Sequence, residues 1–240
     1  MAIIKKMKRL LVTLTILLIH LASFGQHDLG LKVNGGLSYF STKAKSTQPI
    51  TQKFYFMASG QGGLFYNLHI HNKFLFGTEI VFMQIQGKEL LKFELTDQYG
   101  NPTGQYSTNN IWRNISYLGI PIYFGYNYKK LNVNLGIQAN YTLASNGHDK
   151  GQATFNGSVM TWSNHYDKLV IDSYDLGARG GILFRLSDKF SFEANYYYGF
   201  NNIVNKYLSK LWTWKVQQMT IGLRYKYISM GGHQDDNKKE

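Results

Sequence analysis

A handful of ionisable residues sits where chemistry would have to be paired. Lys32, Glu79, Asp175, Arg179, Arg185, Glu193, Arg224 and Lys226 each occupy the polar side of a segment whose other side is apolar. Charges on one shared face, if that face is enclosed, must neutralise one another, because an unpaired buried charge is too costly to keep. The plain reading is a structural ion-pair plug; the functional reading is a gate or a small binding site. A second set, His148, Asp149, Ser158, His165, Asp167, Asp172 and Ser173, has the residue types of a hydrolase or acyltransferase. No spacing there sets a nucleophile beside a base, so no catalytic residue is assigned. His69-Ile70-His71 has the residue type of a metal ligand, but it borders a short turn and is read as turn histidines. The tryptophans Trp112, Trp162, Trp212 and Trp214 fall in or beside long polar links. They read as an aromatic girdle at headgroup level, or as a rim that contacts a partner or glycan.

Strands position all of these. Neighbouring side chains of a strand point to opposite faces, so a period of two is the test. Leu29, Leu31, Val33, Leu37 and Tyr39 alternate with Asp28, Lys32, Asn34 and Ser38. Similar stripes run through Phe54–Leu68, Phe74–Phe82, Leu118–Phe124, Leu131–Tyr141, Leu176–Phe184, Phe192–Tyr198 and Met219–Tyr227. These are about eight segments of roughly ten residues, the length of a tilted strand that crosses a bilayer. Short turns at His69–Lys73, Asn127–Lys130 and Ser187–Lys189 alternate with long links at Ser41–Gln52, Gly87–Ile111, Ser145–Ile171 and Asn201–Thr213. Short periplasmic turns and long outer loops are the arrangement of an outer-membrane barrel. Tyr39, Tyr66, Tyr126, Tyr128, Tyr198, Tyr225 and Tyr227 lie near segment ends, where an interfacial girdle would sit. A soluble sandwich or lipocalin-like barrel alternates as well, but its outside is rich in charge, and these stripes are not.

Composition agrees. Hydrophobic residues make up 44% of the 240 positions, yet mean hydropathy is only −0.28. A wall with lipid on one side and water on the other averages to such a value. The 18 Tyr, 15 Phe and 24 Gly against 3 Pro also suit a barrel. With no cysteine, disulfides, thiolate metal sites and a lipidated cysteine anchor are excluded. Residues 1–25 read as a signal peptide: Lys5, Lys6, Lys8 and Arg9 precede the apolar run Leu10–Leu21, and small residues at Ser23 and Gly25 set cleavage before Gln26. That run is too short to span a membrane as a helix. The formal charge of +12 falls to +8 without those four leader cations. The remaining Lys and Arg are scattered among aromatics rather than gathered on a recognition element, which argues against nucleic acid as a partner.

The segments resemble the PorT-like outer-membrane β-barrel family of Bacteroidota. Tyr117-Leu118-Gly119-Ile120-Pro121-Ile122 is similar to that family's YLEIPL fourth strand. Gly77-Thr78-Glu79-Ile80-Val81-Phe82, Asp175-Leu176-Gly177 and Tyr197-Tyr198-Gly199-Phe200-Asn201-Asn202-Ile203 resemble its third, sixth and seventh. Gly119 stands where the family usually has glutamate. The resemblance implies an outer-membrane location and, through its namesake, a role in type IX protein secretion. The expectation is therefore an all-β, eight-stranded antiparallel transmembrane barrel over 26–228, after the signal peptide and before a polar periplasmic tail at 229–240. Its expected role is structural or accessory and non-enzymatic, without cofactor or metal, in outer-membrane lipid. The barrel assembly machinery, during insertion, and outer-membrane or periplasmic proteins are the expected partners. A type IX secretion accessory and a lipid-modifying or proteolytic barrel enzyme are the alternatives.

Overall fold

The computed structural model describes residues 26–44, 50–70, 73–97, 99, 101–155 and 157–230. The expected signal peptide, His71 and tail residues 231–240 lie outside them. Nine strands run in chain order: β1 (Gln26–Ala44), β2 (Ile50–Ile70), β3 (Phe74–Thr96), β4 (Pro102–Tyr128), β5 (Leu131–Phe155), β6 (Ser158–Tyr166), β7 (Tyr174–Arg185), β8 (Phe190–Gly199) and β9 (Trp212–Met230).

Eight of them close a ring. β1 pairs with β2 and β9, the meander β2–β3–β4–β5 follows, and β5–β7–β8–β9 returns to β1, every pairing antiparallel. A ring without an edge satisfies its backbone internally, which lipid demands. The ninth strand, β6, lies outside the ring and pairs only with the upper end of β5. The eight-stranded barrel is thus present, with an added hairpin.

The faces are inverted relative to a soluble barrel. Val33 is 67% exposed between Lys32 and Asn34, each only 4% exposed, and Leu135 is 70% exposed beside buried Asn134. Lipid covers such an apolar exterior, and the polar residues hydrogen-bond inside. Among the described residues no helix is long and apolar enough to cross a membrane; the strands do it.

Strand length is where expectation and structure part. Crossing takes roughly 9–11 residues, yet β3 has 23, β4 has 27 and β5 has 25. At about 3.3 Å per residue, β4 reaches on the order of 90 Å. The expected long links Gly87–Ile111 and Ser145–Ile171 are mostly strand; Asp97 N donates to Asn101 O at 2.9 Å between β3 and β4, and Gly157, at φ 78°, stands between β5 and β6. Their outer faces are polar, so they read as loops, but pairing with neighbours keeps them extended. A sheet of β2–β6 therefore stands well beyond the lipid-facing band. Strand β9 also runs two residues past the expected barrel boundary, to Met230.

Candidate functional site

The inward-facing residues build the site in two layers. In the lower layer Lys32 (β1) and Arg224 (β9) are register partners, two cations directly opposite one another. Like charges in that position repel, and two carboxylates resolve it. Lys32 Nζ donates to Glu79 Oε2 (β3) at 2.9 Å and lies 2.7 Å from Glu193 Oε1 (β8). Arg224 bridges the same pair, with Nη2 on Glu79 and Nε on Glu193. Arg179 (β7) reaches across the lumen to Glu79 Oε2 at 3.0 Å and donates to Asn195 Oδ1 at 2.9 Å. Arg224 Nη1 also donates to the Tyr123 hydroxyl at 3.0 Å, which donates to Asn67 Oδ1 at 2.8 Å. Opposite walls are tied through one knot.

Glycines make room for its large members. A Cβ on Gly77 would lie 2.3 Å from the Tyr123 ring, so only glycine lets that ring pack flat against β3. At Gly119 a Cβ would meet Asn140 Oδ1 at 2.8 Å, so neighbouring amides fill the space.

The upper layer is apolar. Phe40, Val81, Met83, Ile85, Ile115, Tyr117, Leu169, Tyr197, Ile203 and Val216 pack into one cluster, with Ile171 and Trp214 against it. Leu169 and Ile203 come from connections that fold into the barrel mouth. Leu169 N donates to Ser145 Oγ at 3.1 Å, Asp172 N to Ile203 O at 2.8 Å, and Ile203 N to Trp214 O at 3.0 Å. Between the layers is a void of about 10 Å³ lined by Gln61, Gln138, Arg179 and Gln218, room for about one water. An eight-stranded barrel is just wide enough for side chains to fill, and this one is filled.

A family model described as "Outer membrane protein beta-barrel domain" matches residues 22–205. The chain belongs to this family. It therefore resides in the bacterial outer membrane. Its barrel is similar to Neisserial surface protein A, at 9% identity over 83% of this chain and 97% of that one, TM-score 0.41. It is similar also to OprG of Pseudomonas aeruginosa, at 12% identity over 85% and 96%, TM-score 0.36. A third likeness is Ail of Yersinia pestis in complex with the heparin analogue sucrose octasulfate, at 14% identity over 85% and 99%, TM-score 0.35. No curated protein sequence matches the chain.

Within this family fold, five of the expected lumen charges meet in the knot: Lys32, Glu79, Arg179, Glu193 and Arg224. Asp175 does not join them; it sits in the upper layer and accepts the Tyr197 hydroxyl at 2.6 Å. Arg185 is exposed at the periplasmic mouth, at the last position of β7, and Lys226 lies there too, 3.6 Å from Asp28. A second buried pair was not foreseen: Arg113 Nη1 donates to Glu89 Oε2 at 2.7 Å, while Thr42 and Gln52 also donate to Glu89. Glu89 lies in a stretch read as loop and Arg113 between that link and the next expected strand, which hid their inward alternation.

The tryptophans do not form a loop rim, since all four are in strands. Trp214 turns inward, its ring 4.1 Å from the Arg113 guanidinium. Trp162 packs over Gly151, and half-buried Trp212 accepts from Asn202 through its carbonyl. Trp112 alone takes part in an outer-face row across five strands: Tyr55, Lys88, Trp112, His148 and His165 are successive register partners. His148 stacks on Trp112 at 4.4 Å, and Lys88 Nζ lies 4.8 Å from that ring's centroid. Such cross-strand stacking stiffens the protruding sheet. The Ser/His/Asp set is likewise dispersed: Asp149 faces inward and accepts from Asn109, His165 lies 3.3 Å from Asp167, and neither Ser158 nor Ser173 bonds either histidine among the described residues. His69 pairs with Asp28 at 2.9 Å.

Proposed function

We propose that this protein is a non-enzymatic, non-conducting outer-membrane scaffold that holds the β2–β6 sheet outside the cell for a protein partner. The observation that carries this reading is the interior blocked twice over, by the charged knot and by the apolar cluster above it. A barrel so filled has no water path to conduct through, and what it offers is a rigid support for the sheet. Reconstituted into planar bilayers, the wild-type chain is expected to give no steady current above the lipid baseline; reproducible single-channel steps would overturn the reading.

A finer form of it is an accessory of type IX protein secretion. Its support is the PorT-like resemblance at Tyr117–Ile122 and Tyr197–Ile203. Extraction in mild detergent followed by affinity purification is the test. Recovery of secretion-machine subunits in fixed ratio supports the finer form, and recovery of the barrel alone removes it.

A further inference from the structure

The periplasmic mouth is concave and strongly basic. A cavity of about 70 Å³ is lined there by Asp28, His69, Lys129, Lys130, Arg185, Asp188, Lys189 and Lys226, with Asn132, Ser191 and the buried Arg224 among the deeper walls. The β4–β5 turn supplies Lys129 and Lys130, the β7–β8 turn Asp188 and Lys189, and the ends of β7 and β9 Arg185 and Lys226. Asp28 is already engaged by His69, Ser229 and Lys226. Lys129, Lys130, Arg185 and Lys189 form no ion pair among the described residues, and Asp188 is the one acid beside them. Among the described residues, four cations against one acid around a single hollow leave a surplus of positive charge.

We propose that this vestibule binds a phosphate group. On the scale where about 10–15 Å³ admits one water, this hollow admits several, room enough for a compact anion. Lysines dominate its rim, and an ammonium group binds phosphate as a point charge. Cations that converge from separate turns match an anion with oxygens on several sides. Lys129 is held at φ 52°, the one described non-glycine residue in the left-handed region, so its charge stands at the rim on a backbone that asparagine would adopt more readily. The phosphate belongs either to a headgroup of the inner leaflet, whose surface surrounds the mouth, or to a soluble periplasmic phosphate compound.

The test is titration of the detergent-solubilised full-length mature barrel with inorganic phosphate at constant ionic strength, followed by phosphorus NMR line broadening and by calorimetry. Saturable binding is expected, weakened at least tenfold in Lys130→Gln/Lys189→Gln. Lys129→Asn separates binding from folding, because it relieves the turn while it removes a charge: weaker binding with unchanged or higher unfolding temperature is expected. Repetition in nanodiscs distinguishes the sources. Phosphate binding lost in discs that contain phosphatidylglycerol assigns the site to the headgroup, and binding retained there assigns it to a soluble phosphate. A response matched by chloride at equal ionic strength, or one unchanged in the lysine variants, would overturn the proposal.

Discussion

Glu79 is the centre of the lower knot, and its removal has a calculable consequence. It accepts from Lys32 and Arg224 and meets Arg179, with a side chain wholly shielded from solvent. At an effective dielectric constant of about 20, unit charges about 3 Å apart attract by roughly 5–6 kcal/mol, much of which offsets desolvation. Glu79→Gln leaves three buried cations to share Glu193 alone. Breaking a buried pair costs about 3–5 kcal/mol, and a residue with three partners belongs at the upper end. Arg179→Gln is milder, because Glu79 keeps Lys32 and Arg224; about 1.5–3 kcal/mol is expected, the scale of a lost hydrogen bond to a charged group. The double variant restores part of the charge balance, so its loss is smaller than the sum of the singles by about 1–3 kcal/mol. Reversible urea unfolding from lipid vesicles, followed by tryptophan fluorescence, gives the three values. Additive losses within about 0.5 kcal/mol would refute the coupling across the lumen.

Glu89→Ala is expected to leave buried Arg113 unpaired at a cost of about 3 kcal/mol, and to loosen the outer sheet alone. Amide exchange should rise in β3 and β4 beyond the membrane and stay unchanged around Glu79; a uniform rise would contradict this. Gly77→Val drives a side chain into the Tyr123 ring and costs about 1–3 kcal/mol by overpacking, with partial rescue by Tyr123→Leu. Absence of rescue in a melt of the double variant would place the strain elsewhere. At the periplasmic rim, below the lipid-facing band, burial alone raises the Asp28 pKa. Hydrogen bonds from His69 and Ser229, with the charges of His69 and Lys226, outweigh that and hold it below the usual carboxylate value. A lowered native pKa contributes stability above the unfolded pKa and loses it as pH falls through the native one. Wild type should therefore lose stability below about pH 4, and Asp28→Asn should show a flatter acid limb in unfolding measured against pH.

The barrel itself was legible because lipid enforces alternation: Leu131, Val133, Leu135 and Ile137 have no option but to face outward. The knot was legible for the same reason, as each of its charges interrupts an apolar stripe on the opposite parity. Tyr123 was missed as a member because a tyrosine carries no charge to mark it, and only the pairing of β4 with β3 brings its hydroxyl under Arg224. The outer sheet was missed for a different cause. Beyond the bilayer the outer face meets water, so Lys88, Trp112 and His148 need not be apolar and the contrast in polarity between the two faces fades, although burial still alternates. What holds those stretches extended is pairing between distant segments and cross-strand stacking, neither of which appears along one strand. The inward turn of Leu169 and Ile203 was hidden too, since two apolar residues in separate polar links look like ordinary loop composition until the fold sets them in one mouth.

The knot is best understood as a device for register. A closed antiparallel ring already satisfies its backbone, and burial of five ionised groups brings little net stability, because desolvation consumes most of the Coulomb gain. Displacement is another matter. A slip of β1 by one residue against β9 would turn Lys32 toward lipid and Val33 toward the lumen, and would separate Lys32 from both Glu79 and Glu193. The same slip in β9 would put Arg224 into hydrocarbon. The ring closes at the β1–β9 seam, where the first and last strands of the ring pair. Two cations opposite one another at that seam, neutral only when carboxylates from β3 and β8 arrive between them, allow one alignment. Closure of the ring in this register and completion of the knot therefore require one another, and the apolar cluster packs above them.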